Sequence, residues 1–340
     1  MDILHEDNAL IALNKPAGIP VFPSPSATAA KKPTATRTDS VIERVIAHYK
    51  ALSDPMQIPE TLRNLSAAYE VGGPQVGDPA EPGLGAPMES QQTLGGDVVV
   101  HRLDQGTSGV LLLAKTVAAA SCLRQQFRER RIKKIYFAVT QGRLKGPMTV
   151  TSYIGRAPTD RRKMQSARQI WGVHGAAATG VTSGKLRGAV TLFKPLLCNG
   201  KWSVVLASPV TGRTHQIRLH LQMLKTPIIG DPLYGDTSAT SAFLASAVAL
   251  RSEPRGGSSG GPGGPQKGPW VQPARPPKAL GRAHMRPLLH AAEMCCMHPT
   301  TADSLRVSAP LPPDMQEAIG VVDPHWPAVP ELTPFAWGVH

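Results

Sequence analysis

Residues 98–116, VVVHRLDQGTSGVLLLAKT, constrain this chain more than any other stretch. Two apolar runs, 98–100 and 110–114, flank a polar turn. Both runs are short, aliphatic and bounded by turn residues, so two buried strands are expected. Between them lie His101, Arg102, Asp104, Gln105, Thr107 and Ser108, with Gly106 and Gly109 as breakers. One bend on a rigid base thus carries a carboxylate, a guanidinium and an imidazole, a common way to build a site. Taken alone, the same residues also fit a plain turn with a solvated Asp104.

Charge narrows the partners. The 340 residues include 37 Lys and Arg against 24 Asp and Glu, a formal net charge of +13. An excess of that size favours a polyanion, most simply nucleic acid. No apolar run approaches the ~20 residues of a membrane helix, so a soluble protein is expected. Cys122, Cys198, Cys295 and Cys296 form no CxxC pair, which argues against structural zinc and a disulfide framework. Free thiols suit a reducing compartment. The first ten residues, MDILHEDNAL, lack the basic start of a secretion signal.

Residues 3–21 read as a hairpin turning at Asp7-Asn8, then a tight bend at Asn14-Lys15-Pro16-Ala17-Gly18. Residues 40–50 read as a helix opened by a Ser40/Glu43 capping box. Residues 117–131 read as a second helix, burying Leu123 and Phe127 and ending in a basic run, 128–134. Alternation over 135–141 predicts a half-buried strand with Tyr136 on the face opposite Ile135, Phe137 and Val139. Residues 153–168 read as basic turns. Two strands, 188–197 and 201–209, join at Asn199-Gly200. A helix then follows with Thr214 as N-cap and Ile217, Leu221 and Leu224 on one face; His215 and Arg218 share another, solvated on periodicity alone. A small Ala-rich helix is expected over 237–251, and order returns at 286–297. Residues 321–340 have no clear assignment. Pro- and Gly-rich stretches mark 24–38, 51–96 and 237–282 as insertions in one domain over 1–315, with 316–340 as an extension.

His101-Arg102-Leu103-Asp104 with Thr107-Ser108-Gly109 resembles the HRLDxxTSG motif of the RluA-type RNA pseudouridine synthases. Four further segments resemble that family: NKPAGIPVFP near the start, KKIYFAVTQG around Tyr136, GRTHQIRLH with GDPLYG, and RPLLHAAEMCCMHP. Lys225-Thr226-Pro227 departs from the family's usual His-Pro, and the length of 51–96 departs as well. The resemblance implies an α+β fold with a mixed, mostly antiparallel sheet, packed helices and a central RNA-binding cleft. It implies isomerisation of uridine to pseudouridine in ribosomal or transfer RNA, without cofactor or metal. It assigns Asp104 as the catalytic carboxylate, Arg218 as its partner and Tyr136 as a stacking platform at the uracil. Arg102 would fill the gap left by the extruded base, and His101, Thr107, Arg213 and His215 would contact substrate. A monomer in the cytoplasm or an organelle (mitochondrion or plastid) is expected. A non-catalytic RNA-binding protein on the same scaffold is the alternative, but it has no need of Asp104, Tyr136 and Arg218 together.

Overall fold

The computed structural model describes residues 1–23, 39–51, 59, 61, 98–158, 160, 162–167, 186–252 and 285–326. Most of the insertions expected over 24–38, 51–96 and 237–282 therefore lie outside the described residues.

Among the described residues, ten strands form one sheet: β1 (Asp2–Glu6), β2 (Leu10–Lys15), β3 (Ser108–Ala114), β4 (Lys133–Gln141), β5 (Met148–Arg156), β6 (Met164–Ala167), β7 (Arg187–Cys198), β8 (Trp202–Pro209), β9 (Leu289–Met297) and β10 (Ser304–Ser308). Their spatial order is β1-β2-β3-β9-β4-β8-β7-β5-β6, with β10 added to β9. Every pairing is antiparallel except β3 with β9, where Ser108 faces His290 and Gly109 faces Ala291. The α+β class and the mixed, mostly antiparallel sheet are as expected.

Alternation places the core on both sides of the central strands. Ile11, Leu13, Leu111 and Leu113 enter one apolar cluster, while Leu10, Ala12, Val110, Leu112 and Ala114 enter a second. The first is filled by Val45 and Tyr49 of α1 (Val41–Ala51), Phe243 of α4 (Thr237–Ser252) and Met315 of α5 (Pro313–Val322). The second is covered by α2 (Val117–Arg128) through Ala119, Ala120 and Leu123. Burial of each large apolar side chain contributes about 1.5–3 kcal/mol. The capping box opens α1 as read: Glu43 N–H donates to Ser40 Oγ at 3.2 Å, and Ser40 N–H donates back to the Glu43 carboxylate at 3.0 Å.

Four expectations change. Residues 98–100 form no strand; Val99 makes only an isolated bridge to Leu113, on the edge of β3 opposite β2, where the Ala114 N–H donates to the Val98 carbonyl at 2.8 Å. Residues 153–168 are not all turn: Tyr153 to Arg156 continue β5 and pair with β6. The cap of α3 (Gln216–Met223) is His215, not Thr214, in a left-handed conformation (φ 56°, ψ 18°). Finally, α5 carries the core through Val322, so the domain extends beyond residue 315.

Candidate active site

Asp104 sits where the polar bend is held on all sides. His101 Nε2 accepts from the backbone N–H of Leu112 at 2.9 Å, and its ring packs on Phe127 with centroids 5.0 Å apart. Burial, with some repulsion from Lys134, pulls His101 down to about 3, so it is neutral. It braces the bend to β3. Thr107 is buried, and its N–H closes the turn onto the Asp104 carbonyl at 3.0 Å.

The N-terminal bend grips the same loop. Gly18 and Gln105 exchange two hydrogen bonds, Gly18 N–H to the Gln105 carbonyl at 2.8 Å and Gln105 Nε2 to the Gly18 carbonyl at 2.9 Å. Lys15 is fully buried, and its Nζ donates to the carbonyls of Pro16, Ile19 and Gln105 at 2.9, 2.8 and 3.2 Å. Burial and the nearby Arg286 pull Lys15 down to about 7, against the opposing pull of Asp104. From the rear, Arg286 Nη1 donates to the carbonyls of Gly106, Pro287 and Leu289 at 3.2, 3.0 and 3.0 Å. Its Nε and Nη2 form a fork on Asp314 of α5 at 2.7 and 3.0 Å. Gly109 (φ 111°) ends the bend where any Cβ would lie 2.1 Å from the Ala291 carbonyl oxygen, so only glycine permits the parallel pairing there.

Arg218 meets Asp104 from α3. Its Nη1 donates to Asp104 Oδ2 at 3.1 Å, while Nε and Nη2 fork onto Asp231 at 2.7 and 2.8 Å. Side-chain exposure rises in order: 0% for Asp231, 5% for Arg218, 21% for Asp104. The ion pair is therefore anchored on a dry side while the Asp104 carboxylate remains open to solvent. Burial opposes the charge of Arg218, but hydrogen bonds and charge from Asp231 and Asp104 outweigh it and raise its pKa above the ordinary value. The helix that periodicity drew as half-solvated buries every residue from Gln216 to Leu221.

Asp231 also caps the turn that follows it, accepting from the N–H groups of Leu233 and Tyr234 at 2.9 and 3.1 Å. The Arg218 guanidinium carbon lies 5.0 Å from the Tyr234 ring centre, over its face. Tyr234 Oη takes the Met164 N–H at 2.7 Å and lies 2.7 Å from His215 Nδ1. His215 Nε2 is 3.9 Å from Asp104 Oδ2. The left-handed backbone at His215 costs on the order of 1–2 kcal/mol.

Tyr136 lies on β4 with its hydroxyl within the field of Asp104. Burial and then that negative charge raise its pKa well above the phenol range. It therefore stays protonated. Arg102 is exposed at the mouth, close enough for its charge to act on His215. Arg213 is partly exposed and donates from Nε to the Gly188 carbonyl at 3.1 Å. Burial and then repulsion by Arg187 and Arg130 lower its pKa, which marks a cationic rim beside α3.

The structure thus brings Asp104, Tyr136, Arg218 and His215 together, with Arg102 and Arg213 at the rim. Sequence reading missed Asp231, Tyr234, Lys15 and the Arg286–Asp314 pair. The first two were present in GDPLYG, whose turn residues concealed a buried carboxylate.

The RNA pseudouridylate synthase family model matches residues 90–223, a span that includes Asp104, Tyr136 and Arg218 but not Asp231 or Arg286. The ribosomal large subunit pseudouridine synthase D of Xanthomonas campestris is 29% identical over 322 residues, 95% of this chain and 69% of the relative. The chloroplastic RNA pseudouridine synthase 2 of Arabidopsis thaliana is 26% identical over 328 residues, 95% of this chain and 65% of the relative. The chain thus spans about two thirds of these relatives' length. Among solved structures, human RNA pseudouridylate synthase domain containing 4 superposes with a TM-score of 0.54 at 20% identity, over 94% of this chain and 92% of that one; the likeness is one of fold.

Proposed function

We propose that this chain, similar over residues 90–223 to the RNA pseudouridylate synthase family, is a member of it and isomerises uridine to pseudouridine in ribosomal RNA, with Asp104 as the catalytic carboxylate. The observation that carries the residue assignment is the Asp104–Arg218–Asp231 chain, dry at one end and open at the other.

In the reaction the bond from uracil N1 to ribose C1′ breaks, the base turns, and a bond forms from C5 to C1′. The C5 proton leaves and N1 gains a proton, so the product is an isomer and no net oxidation occurs. A carboxylate can assist at the sugar or at the base if it is ionised and aimed. Arg218 aims it, since the Asp231 fork fixes the guanidinium plane. Tyr136, held protonated, serves as a platform for the uracil rather than as a free base. Extruding the base from its stack costs a few kcal/mol, and Arg102 at the mouth can fill the vacated space with its planar guanidinium. The rim formed by Arg213 with Arg187 and Arg130 supports a phosphate path, which would set register without reading sequence.

The ribosomal substrate is supported by the name of the Xanthomonas relative, a ribosomal large subunit pseudouridine synthase. The enzyme works as a monomer with one catalytic domain that includes α5. Among the described residues, no helix is long and apolar enough to cross a membrane. Its place is wherever its RNA is assembled, in the cytoplasm, mitochondrion or plastid, the last supported by the chloroplastic relative.

The test is mass spectrometry of unmodified large-subunit ribosomal and transfer RNA transcripts after incubation with the enzyme. Pseudouridine in the ribosomal transcript is expected. Product in transfer RNA alone would move the substrate, and none in either would contradict the assignment.

A further inference from the structure

Building on the isomerase reading, we infer that His215 stands in the site as a neutral imidazole with its proton on Nε2, a donor to an oxygen of the bound nucleotide, and that Tyr234 is the positioning residue that fixes it so.

The argument is one of hydrogen-bond direction. The Tyr234 hydroxyl accepts the backbone N–H of Met164 at 2.7 Å. Its own proton then points to His215 Nδ1, also at 2.7 Å. An O–H can donate to Nδ1 only if that nitrogen presents its lone pair, which places the ring proton on Nε2. The reverse arrangement, with Nδ1–H donating to Oη, would give the hydroxyl two donors. Among the described residues no acceptor is then placed for its proton. Burial first, and the charges of Asp231 and Asp104 with it, push Tyr234 up to about 12, against Met164 and Arg218, so it remains a donor.

The groups around His215 agree. Burial lowers its pKa. Asp104 from the bend and Asp231 beyond α3 pull it up, while Arg218 on its own helix and Arg102 on the bend push it down, and the net shift is downward. Nε2 lies 3.9 Å from Asp104 Oδ2, beyond a hydrogen bond. The N–H is thus not spent on the carboxylate. It faces the space where a substrate oxygen can sit within reach of both groups. An imidazolium would instead close on Asp104 and occupy the oxygen that must react.

The left-handed turn at His215 serves the same end. The residue occupies the N-cap of α3, yet its side chain makes no capping bond. A Ser or Asp at this position would turn inward to the helix amides. Here the ring projects outward to Tyr234 and Asp104. One tyrosine thereby sets two groups: its ring face lies against Arg218 and its hydroxyl against His215.

Two experiments test this. In the first, the ¹⁵N–¹H spectrum of the full chain with labelled histidine is recorded at neutral pH without RNA, and the His215 signals are assigned by their loss in His215→Gln. The Nε2–H tautomer is expected in wild type and a mixture or imidazolium in Tyr234→Phe; an Nδ1–H tautomer or imidazolium in wild type overturns the inference whether or not the isomerase reading holds. In the second, turnover is measured on the unmodified large-subunit ribosomal transcript. His215→Ala should lose about 10²-fold in kcat, the scale of one lost hydrogen-bond donor. Tyr234→Phe should lose about 10-fold with KM nearly unchanged, and its activity should fall at a higher pH on the acid side as the freed imidazole protonates. Because Tyr234 acts through His215, the double variant should be no slower than His215→Ala, whereas losses that multiply would overturn the coupling. A wild-type enzyme that forms no pseudouridine counts against the isomerase reading alone, since the tautomer is read without turnover.

Discussion

Two arginines hold the Asp104 bend, and they do so with the same geometry. Arg218 forks onto Asp231 through Nε and Nη2, leaving Nη1 to reach Asp104. Arg286 forks onto Asp314 through Nε and Nη2, leaving Nη1 to reach Gly106, two residues further on. What differs is the acceptor. In front, the spare N–H meets a carboxylate with solvent access. Behind, it meets backbone carbonyls that need only be held in place. A forked ion pair fixes the guanidinium plane in both cases; the group beyond it decides whether that rigidity serves chemistry or shape.

The comparison predicts unequal losses. Arg218→Ala strands Asp231 in a dry site and frees Asp104. Turnover on the ribosomal transcript should fall at least about 10²-fold, and denaturant unfolding should show a loss of about 3–5 kcal/mol, the cost of breaking a buried pair. An active, stable Arg218→Ala would remove the front arginine from its role. Asp314→Asn loosens the rear brace without touching reacting atoms. A loss of about 1.5–3 kcal/mol in stability is expected for the weakened charged hydrogen bonds, with kcat down about 10-fold at unchanged KM, as for a misplaced reacting group. If kcat and stability changed as much here as in Arg218→Ala, the two sides would not be distinct.

A separate effect, away from the bend, is acid sensitivity. His220, held between Ser152 and Thr191 at 2.9 Å each, and His290, 2.9 Å from Ser108, are buried and pulled down to about 4 by that burial. Between that value and the ordinary 6.5 the unfolded chain binds more protons. Their contribution to stability is therefore full above about 6.5 and is lost as pH falls toward about 4, at about 1.4 kcal/mol per pH unit for each. Unfolding measured across that window should show the slope, and His220→Gln should flatten it. A flat profile in wild type would show that the fold does not lower the proton affinity of these imidazoles.

Much of the front was legible in the sequence. The HRLD bend, the Tyr136 strand and the Arg218 helix each sit on a local pattern, and the family match spans all three. The burial of Arg218 was not legible, because a helix of eight residues that is covered on every side gives no one-sided periodicity. The rear was harder to see. Arg286 acts on Gly106 across 180 positions through the parallel β3–β9 pairing, and no local pattern records such a contact. Residues 98–100 misled for a related reason: their composition suits a strand, but Val99 alone bridges β3, and composition does not record how far a pairing runs. His101 and Thr107, for which the resemblance implies substrate contacts, also have roles in the bend that no local pattern records. The fold uses the His101 ring to accept a backbone N–H, and it buries Thr107.

The most direct test compares wild type with Asp104→Asn, which keeps the shape and removes the charge. Both are incubated with the unmodified large-subunit ribosomal transcript, and bound RNA and pseudouridine are quantified in the same samples. Equal binding, with product from wild type and a rate below it by more than about 10⁴-fold in the variant, is predicted for loss of a group that carries the reaction. Pseudouridine formed by Asp104→Asn at the wild-type rate would contradict the account.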